Sequence, residues 1–95
     1  MLYTISRSPY AFDLLAFLRI VQPSDELLLL SDGVIAGLNG SLFENMLSAS
    51  SLVLYALEND IIARGLFDYF SNNIAIISYN DFIRLTEKHI QHMAW

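Results

Sequence analysis

The sequence predicts an α/β fold: a small single-domain sheet of about four parallel or mostly parallel strands, with helices on both faces. Short apolar segments alternate with helix-like segments in the order β-α-β-α-β-α-β-α, and this alternation is typical of parallel sheets with right-handed crossovers. Leu27–Leu30 is a run of four leucines between acidic residues and an Asp-Gly pair, as expected of a strand buried on both faces. A chain of 95 residues has the size of one domain, so residues 1–95 are assigned to a single unit.

The first third of the chain predicts two strands and one helix. Leu2–Ile5 is short, aromatic and β-branched, which predicts strand one. Ser8 is a good N-cap and Pro9 a good first helical residue, so a helix is expected over Pro9–Val21, before Pro23. The leucine run follows as strand two, and its carboxyl end lies at the edge where parallel sheets place ligands and contacts.

The middle of the chain predicts short helical segments separated by turns. Val34–Leu38 is expected to form one or two helical turns, and Asn39-Gly40 predicts a turn. Ser41 and Glu44 have the spacing of a capping box for a helix over Leu42–Ser48.

The last part of the chain predicts two strands and two helices. Leu52–Leu57 is strand three, Ile61–Arg64 a short helix ended by Gly65, and Ile74–Ile77 strand four. A final helix is expected to be capped by Asn80 or Asp81 and to end near His89. The side chains expected to face inward are Phe82, Ile83 and Leu85.

Composition and charge limit the classes of function. Hydrophobic residues make up 55% of the chain, charged residues 16%, and the mean hydropathy is +0.45; because so short a chain cannot hide this much apolar side chain, part of it is expected to face another chain. Ten acidic and five scattered basic residues give a net charge of −5, which argues against direct nucleic-acid binding.

No segment has the length of a membrane span, so a cytoplasmic location is expected. There is no cysteine, which excludes a thiol nucleophile or persulfide on this chain.

Two segments at the predicted carboxyl edge are candidate binding sites. Gly33, Gly37 and Gly40 match neither the dinucleotide-binding nor the P-loop pattern, so they are interpreted as turn glycines. The turn Ser6–Pro9 would place an arginine beside a helix amino terminus, which suits an anion, but a simple helix cap is favoured over this interpretation.

Acidic residues and histidines give weaker indications of a metal site. Asp32, Asp60 and Asp81 could meet at one edge and bind Mg²⁺, but capping roles are favoured, and Asp60 has the i, i+4 spacing for a pair with Arg64. Two histidines near the carboxyl terminus lack a third zinc ligand and suit the end of a helix instead; they are His89 and His92. No catalytic, cofactor-binding or metal-binding residue is assigned, and no cofactor is expected.

Aromatic and aliphatic side chains near residues 43–47 and 66–70 exceed what a four-stranded core can bury. As a set they are interpreted as a candidate subunit interface, although ordinary core packing is favoured for any single member. The residues are Phe43, Met46, Leu47, Leu66, Phe67, Tyr69 and Phe70.

Several motifs, in their order and spacing along the whole chain, resemble the TusB/DsrH family. They are Ser6-Arg7-Ser8-Pro9, Asp25–Leu30 with Asp32-Gly33-Val34, Val53–Leu57 with Asp60, Ala63–Leu66, Asp81–Thr86 and Met93-Ala94-Trp95. The resemblance implies a fold of the DsrE/DsrF/DsrH type. It also implies a heterohexamer, a dimer of heterotrimers, formed with TusC-like and TusD-like subunits.

The same resemblance implies a function in sulfur relay. Such complexes pass persulfide sulfur from a TusA-like donor to a TusE-like acceptor, toward 2-thiolation of 5-methylaminomethyl-2-thiouridine at the tRNA wobble position. The sulfur-accepting cysteine is expected on the TusD-like subunit, and this cysteine-free chain is expected to be a non-catalytic subunit.

The residues also allow two other interpretations. One is a small flavodoxin-like module that binds an anionic ligand at the Ser6–Ser8 turn. The other is a metal-dependent or hydrolytic enzyme that uses the acidic residues near the carboxyl edge. Neither explains why so short a chain is so apolar.

Overall fold

The computed structural model describes residues 1–95 and contains a sheet of five strands in which every neighbouring pair is parallel. The strands are β1 Leu2–Ile5, β2 Glu26–Leu29, β3 Val53–Leu57, β4 Ala75–Ile77 and β5 His92–Ala94, in the spatial order β4-β3-β2-β1-β5. The α-helices are α1 Leu14–Leu18, α2 Leu42–Ser48, α3 Glu58–Ala63 and α4 Tyr79–Lys88. Short 3-10 helices cover Pro9–Ala11, Ser31–Gly37 and Phe67–Tyr69. The predicted α/β class is confirmed.

The leucine run forms the central strand, as predicted. β2 pairs with β1 on one side and with β3 on the other. Leu27 and Leu29 belong to the larger core cluster on one face, whereas Leu28 belongs to the smaller cluster on the opposite face. All three are buried, so the run is apolar because both faces of this strand are covered.

The two faces of the sheet are covered unequally because of the path of the chain. From β1 to β4 the chain moves one strand at a time in one direction, and α1, α2 and α3 all contribute to the larger cluster on one face. The connection from β4 to β5 then crosses the whole sheet, and α4 within it packs on the other face through Leu85, against Leu2 and Leu28. A ten-residue helix therefore covers a five-stranded face almost alone.

Helix boundaries differ from the sequence prediction in four segments. The helical turns expected over Val34–Leu38 lie at Ser31–Gly37, and the short helix expected over Ile61–Arg64 is α3, Glu58–Ala63. The helix expected over Pro9–Val21 is interrupted at Phe12, whose backbone is extended, with φ −152° and ψ 172°. Asp13 then caps α1, because its carboxylate accepts a hydrogen bond from Ala16 N at 3.1 Å.

The final helix begins earlier than expected. Ser78 Oγ accepts from Asp81 N at 3.2 Å, so Ser78 is the cap, rather than Asn80 or Asp81. Phe82 and Leu85 face the sheet as predicted. Ile83 is exposed, contrary to the prediction, because the helix turns it about 100° away from Phe82.

Gly33 allows the segment after β2 to fold back over β1. A Cβ atom at this position would lie 2.0 Å from the carbonyl oxygen of Ile5, well inside any normal contact. Leu30 N donates to the same Ile5 oxygen at 3.0 Å. The glycine is therefore required by close approach of two backbone segments, rather than by a left-handed turn.

Candidate functional site

The carboxyl edge of the sheet is closed by an interaction between two distant segments. Asp60, in α3, accepts a hydrogen bond from Ser31 N at 2.7 Å. Ser31 follows β2 in the left-handed region, with φ +50°, a conformation that costs free energy for residues other than glycine. The aspartate thus holds the start of the 3-10 segment Ser31–Gly37 in place.

Arg64 completes this arrangement from the end of α3. Its Nε and Nη2 donate to Asp32 Oδ1 at 3.1 and 3.0 Å, and its Nη1 lies 3.9 Å from Asp60 Oδ1, as the i, i+4 spacing predicted. Asp81 is not part of this group, because it lies on α4 and pairs with Arg84 at 3.4 Å. The structure contains no group of three or more acidic or histidine residues arranged to hold a metal ion.

In the turn Ser6–Pro9, the candidate anion site, Ser8 and Arg7 contact other groups of the same chain. Ser8 Oγ accepts from Tyr10 N at 3.3 Å, and the guanidinium carbon of Arg7 lies 5.0 Å from the centre of the Phe12 ring. The 3-10 helix that follows has only three residues. These contacts describe a capped turn and a cation–π pair.

The two segments of the predicted interface lie side by side. Asn39 N donates to Tyr69 O, and Ser71 N donates to Gly37 O, each at 2.8 Å. The ring of Phe70 lies against Gly37, where an added Cβ atom would come within 2.1 Å of it. The segment before α2 is therefore fixed to the segment after α3 by backbone hydrogen bonds.

The seven residues of the predicted interface have three different environments. Leu47 and Phe70 are buried in the chain's own core, so these two side chains offer no surface to a partner. Phe67 and Tyr69 are 49% and 67% exposed. The remaining three are partly buried and pack against the core: Phe43, Met46 and Leu66.

Two exposed apolar residues near this surface were missed by the sequence prediction. Leu42 is 70% exposed, and Tyr10 is 80% exposed while its ring makes an edge-to-face contact with Phe43 at 5.0 Å. No local pattern marks Leu42 as exposed, because the residues one turn on are the polar Asn45 and the apolar Met46, which packs against the core. We use the name aromatic patch for four exposed side chains, three aromatic and one leucine: Tyr10, Leu42, Phe67 and Tyr69.

A buried polar junction at the amino end of β2 was also not predicted. Glu26 is only 4% exposed, and its carboxylate accepts from Tyr55 Oη and Lys88 Nζ, each at 3.0 Å. Its other oxygen contacts His89 Nε2. The junction joins β2 and β3 to the end of α4, and we call it the Glu26 junction. An acidic residue directly before a run of leucines was the available signal.

The protonation behaviour of this junction follows from its contacts. Burial alone would raise the pKa of Glu26, but hydrogen bonds from His89, Lys88 and Tyr55 outweigh burial and hold the pKa below its usual value. The hydrogen bond to Glu26 raises the pKa of Lys88, and burial followed by the same carboxylate raises the pKa of Tyr55. The carboxylate is therefore kept charged inside the fold.

Comparison with known proteins identifies the family. The model of the family described as "DsrH like protein" matches residues 7–92. The chain belongs to this DsrH-like family. Its relatives within the family include proteins named "Protein TusB" from Sodalis glossinidius, Serratia proteamaculans and Escherichia coli K12, at 70%, 53% and 48% identity, each aligned over 100% of both chains. The resemblance seen in the sequence is thereby confirmed.

Solved structures support the fold of this DsrH-like chain. The ychN protein from E. coli is 18% identical, covers 99% of this chain and 97% of its own, and has a TM-score of 0.78. MTH1491 from Methanobacterium thermoautotrophicum is 14% identical with a TM-score of 0.75, over 99% and 96% of the two chains. Tm0979 from Thermotoga maritima is 23% identical with a TM-score of 0.69, over 94% of each. At these identities the likeness concerns the fold alone. None of the helices in the chain is long and apolar enough to span a membrane.

Proposed function

We propose that this DsrH-like chain is a sulfur-relay protein of tRNA modification and a non-catalytic subunit of a cytoplasmic TusBCD-type complex. In this proposal it assembles with TusC-like and TusD-like subunits into a dimer of heterotrimers. The assembly passes persulfide sulfur from a TusA-like donor to a TusE-like acceptor, toward 2-thiolation of the wobble uridine. The observation that carries the proposal is the identity of 48–70% over the full length with proteins named TusB.

The composition of the chain supports the non-catalytic part of the proposal. A persulfide needs a cysteine sulfur to carry it, and the chain has no cysteine. The polar groups at the carboxyl edge are engaged with one another: Asp60 with Ser31 N, and Arg64 with Asp32. In the proposed assembly the sulfur-carrying residue belongs to a partner, and this chain contributes its fold and its surface.

The aromatic patch supports the subunit part. Exposed large apolar side chains on neighbouring segments are characteristic of the cores of protein interfaces, where tyrosine and phenylalanine are enriched. The backbone that carries the patch is fixed by a helix cap and by a backbone hydrogen bond. Ser41 Oγ caps α2, which begins with Leu42, and Asn39 N donates to Tyr69 O. A preformed apolar surface loses little conformational entropy when a partner covers it.

Co-expression tests the proposal directly. The tagged chain is co-expressed with the TusC-like and TusD-like subunits of its source organism, and the native mass of the purified material is measured. We expect two copies of each of three chains. Deletion of the gene for this chain is expected to abolish the 2-thio group of the wobble uridine, measured by mass spectrometry of tRNA digests, and re-expression is expected to restore it. A chain that purifies as a stable monomer without these partners would contradict the proposal.

A further inference from the structure

The last two elements of the chain, α4 and β5, bury few side chains. Leu85 is the only buried residue among residues 79–95, whereas all four residues of β2 are buried. Leu85 packs against Leu2 and Leu28 in the smaller core cluster, and every residue of β5 is exposed. A segment that buries so little apolar surface can separate from the fold at a low cost in free energy.

Backbone pairing and one aromatic contact hold β5 against the sheet. β5 is an edge strand and pairs with β1 alone. On either side of the paired residues, Leu2 N donates to Gln91 O at 3.2 Å and Trp95 N donates to Thr4 O at 2.9 Å. The Trp95 ring lies 5.3 Å from the ring of Phe17, centre to centre. Loss of β5 would therefore leave β1 still paired with β2.

α4 and β5 are also connected to each other. His92, the first residue of β5, places its Nε2 at 2.9 Å from both Thr86 O and His89 O. Thr86 lies in the last turn of α4, where carbonyl oxygens have no partner within the helix. His92 thus joins the end of α4 to the start of β5, so the two elements are expected to move together.

The Glu26 junction attaches this pair of elements to the centre of the sheet. Glu26 is buried in β2, and its carboxylate contacts Lys88 and His89 at the end of α4. Hydrogen bonds in which one group is charged are stronger than those between neutral groups. The junction is therefore the main polar contact that must break before α4 can leave the sheet.

We propose that residues 79–95, here called the α4–β5 unit, open together from a sheet that stays folded, and that the Glu26 junction holds the unit closed. None of the 15 buried residues of the larger core cluster belongs to this unit, and only Trp95 packs against its margin. Opening uncovers the free edge of β1 and the apolar side chains of Leu2 and Leu28. The open form thus presents a strand edge and an apolar surface that the closed chain hides. This opening is a property of the single chain and is independent of the proposed sulfur relay.

Amide hydrogen exchange of the full chain, followed by NMR at low urea concentrations, tests this opening. We expect the central amides of α4 and the hydrogen-bonded amides of β5 to share one opening equilibrium. After correction for intrinsic rates, they should exchange at least about tenfold faster than the amides of β2, which exchange only on global unfolding. Their opening should also depend less on urea than global unfolding does, because less surface is exposed.

Two conservative variants separate this opening from global unfolding. Ile61 is fully buried in the larger cluster, on the other face of the sheet from α4, so Ile61→Val weakens contacts that the open form keeps. It should speed exchange in β2 about fivefold and leave α4 and β5 at the wild-type rate. Glu26→Gln weakens a contact that both the open and the unfolded forms lack. It should speed exchange in α4, β5 and β2 by one common factor of about thirty or more.

Three results would overturn the inference. If Ile61→Val speeds exchange in α4 as much as in β2, α4 leaves the sheet only when the whole chain unfolds. Different opening equilibria for α4 and β5 would show that they do not open together. Exchange in α4 that is unchanged by Glu26→Gln would show that the Glu26 junction does not hold the unit closed.

Discussion

Tyr55 Oη donates a hydrogen bond to Glu26 Oε1 at 3.0 Å, and Lys88 Nζ reaches the same oxygen at the same distance. One buried carboxylate thus connects two neighbouring strands with the end of the helix that crosses one face of the sheet. His89 contacts the second oxygen. Because the smaller cluster holds only three fully buried side chains, Leu2, Leu28 and Leu85, these polar contacts are an important part of what fixes α4.

Replacement of Glu26 by glutamine should lower stability. The amide keeps the shape of the side chain but removes the charge that Lys88 and His89 contact, and hydrogen bonds to charged groups contribute about 1.5–3 kcal/mol each. We expect Glu26→Gln to lower the free energy of unfolding by about 2–3 kcal/mol at neutral pH, measured by urea denaturation. Arg84→Met, which removes an exposed pair on the same helix, should change it by less than about 1 kcal/mol.

The pH dependence of this effect has a definite sign. The pKa of Glu26 is lower in the folded chain than its usual value of 4.5, so its contribution is fully present above that value. The contribution is lost as pH falls through the lower, folded-state pKa. The difference in unfolding free energy between the wild type and Glu26→Gln should therefore shrink as pH falls below 4.5. A difference that stays constant down to acid denaturation would contradict the assignment.

The cap of α4 gives a second prediction about the same helix. Because Ser78 Oγ accepts from Asp81 N, Ser78→Ala should lower the free energy of unfolding by about 1 kcal/mol. Asn80→Ala is the control, since Asn80 lies inside the helix and its side chain is exposed. It should have little effect, and a larger loss for Asn80→Ala than for Ser78→Ala would show that the helix begins later.

Most of the fold could be predicted because local patterns and tertiary burial agree. In three places a local preference matches the role that the fold requires. The leucine run forms a strand covered on both faces, Ser41 caps a helix, and Gly65 adopts the left-handed region with φ +67°. The α/β class follows from the alternation of strand-like and helix-like segments along the chain. The surface that remains apolar was predicted in part, through Phe67 and Tyr69.

Features that depend on long-range contacts could not be predicted. β5, at His92–Ala94, is short and carries no β-branched residue, and it exists because β1 offers it a free edge. The cap at Ser78 is a local feature that was not predicted for a different reason: serine, asparagine and aspartate are all good caps, so the pattern does not decide among Ser78, Asn80 and Asp81. Glu26 meets Lys88 and His89 across 62 and 63 positions of sequence, a pairing that only the crossing of α4 brings about.

Gly33 gives a prediction about close backbone packing. An alanine Cβ would lie 2.0 Å from Ile5 O, and neither backbone segment can move without disturbing the end of β1. Gly33→Ala should therefore lower the free energy of unfolding by about 3 kcal/mol or more. Gly40→Asn is the control, because Gly40 has φ +82° and open space around it, and asparagine tolerates the left-handed region. Equal losses in the two variants, by thermal or urea denaturation, would contradict the close approach.

The contact of Asp60 with Ser31 N gives a prediction about the carboxyl edge. Asp60→Ala leaves a partly buried N–H without its partner at a left-handed residue, which should cost about 1–3 kcal/mol. Amide hydrogen exchange should also become faster over Ser31–Gly37, since the aspartate anchors the start of that segment. Asp32→Ala removes only the exposed partner of Arg64, and it should leave exchange in this segment near the wild-type rate. Faster exchange in both variants would assign the anchoring to Arg64 instead.

Two tyrosines on opposite faces of the sheet give the sharpest prediction about assembly. Tyr69, in the aromatic patch, and Tyr79, at the start of α4, are both more than half exposed, so serine at either position should leave the fold of the chain intact. Aromatic side chains at the centre of an interface commonly contribute at least about 2 kcal/mol to binding. In the proposed assembly, Tyr69→Ser should therefore raise the dissociation constant for the TusC-like and TusD-like subunits at least about thirtyfold, measured by titration. Tyr79→Ser should bind as the wild type does. If Tyr79→Ser is the variant that loses binding, the partners cover α4, and the exposed Phe67–Tyr69 segment lies on the outside of the assembly.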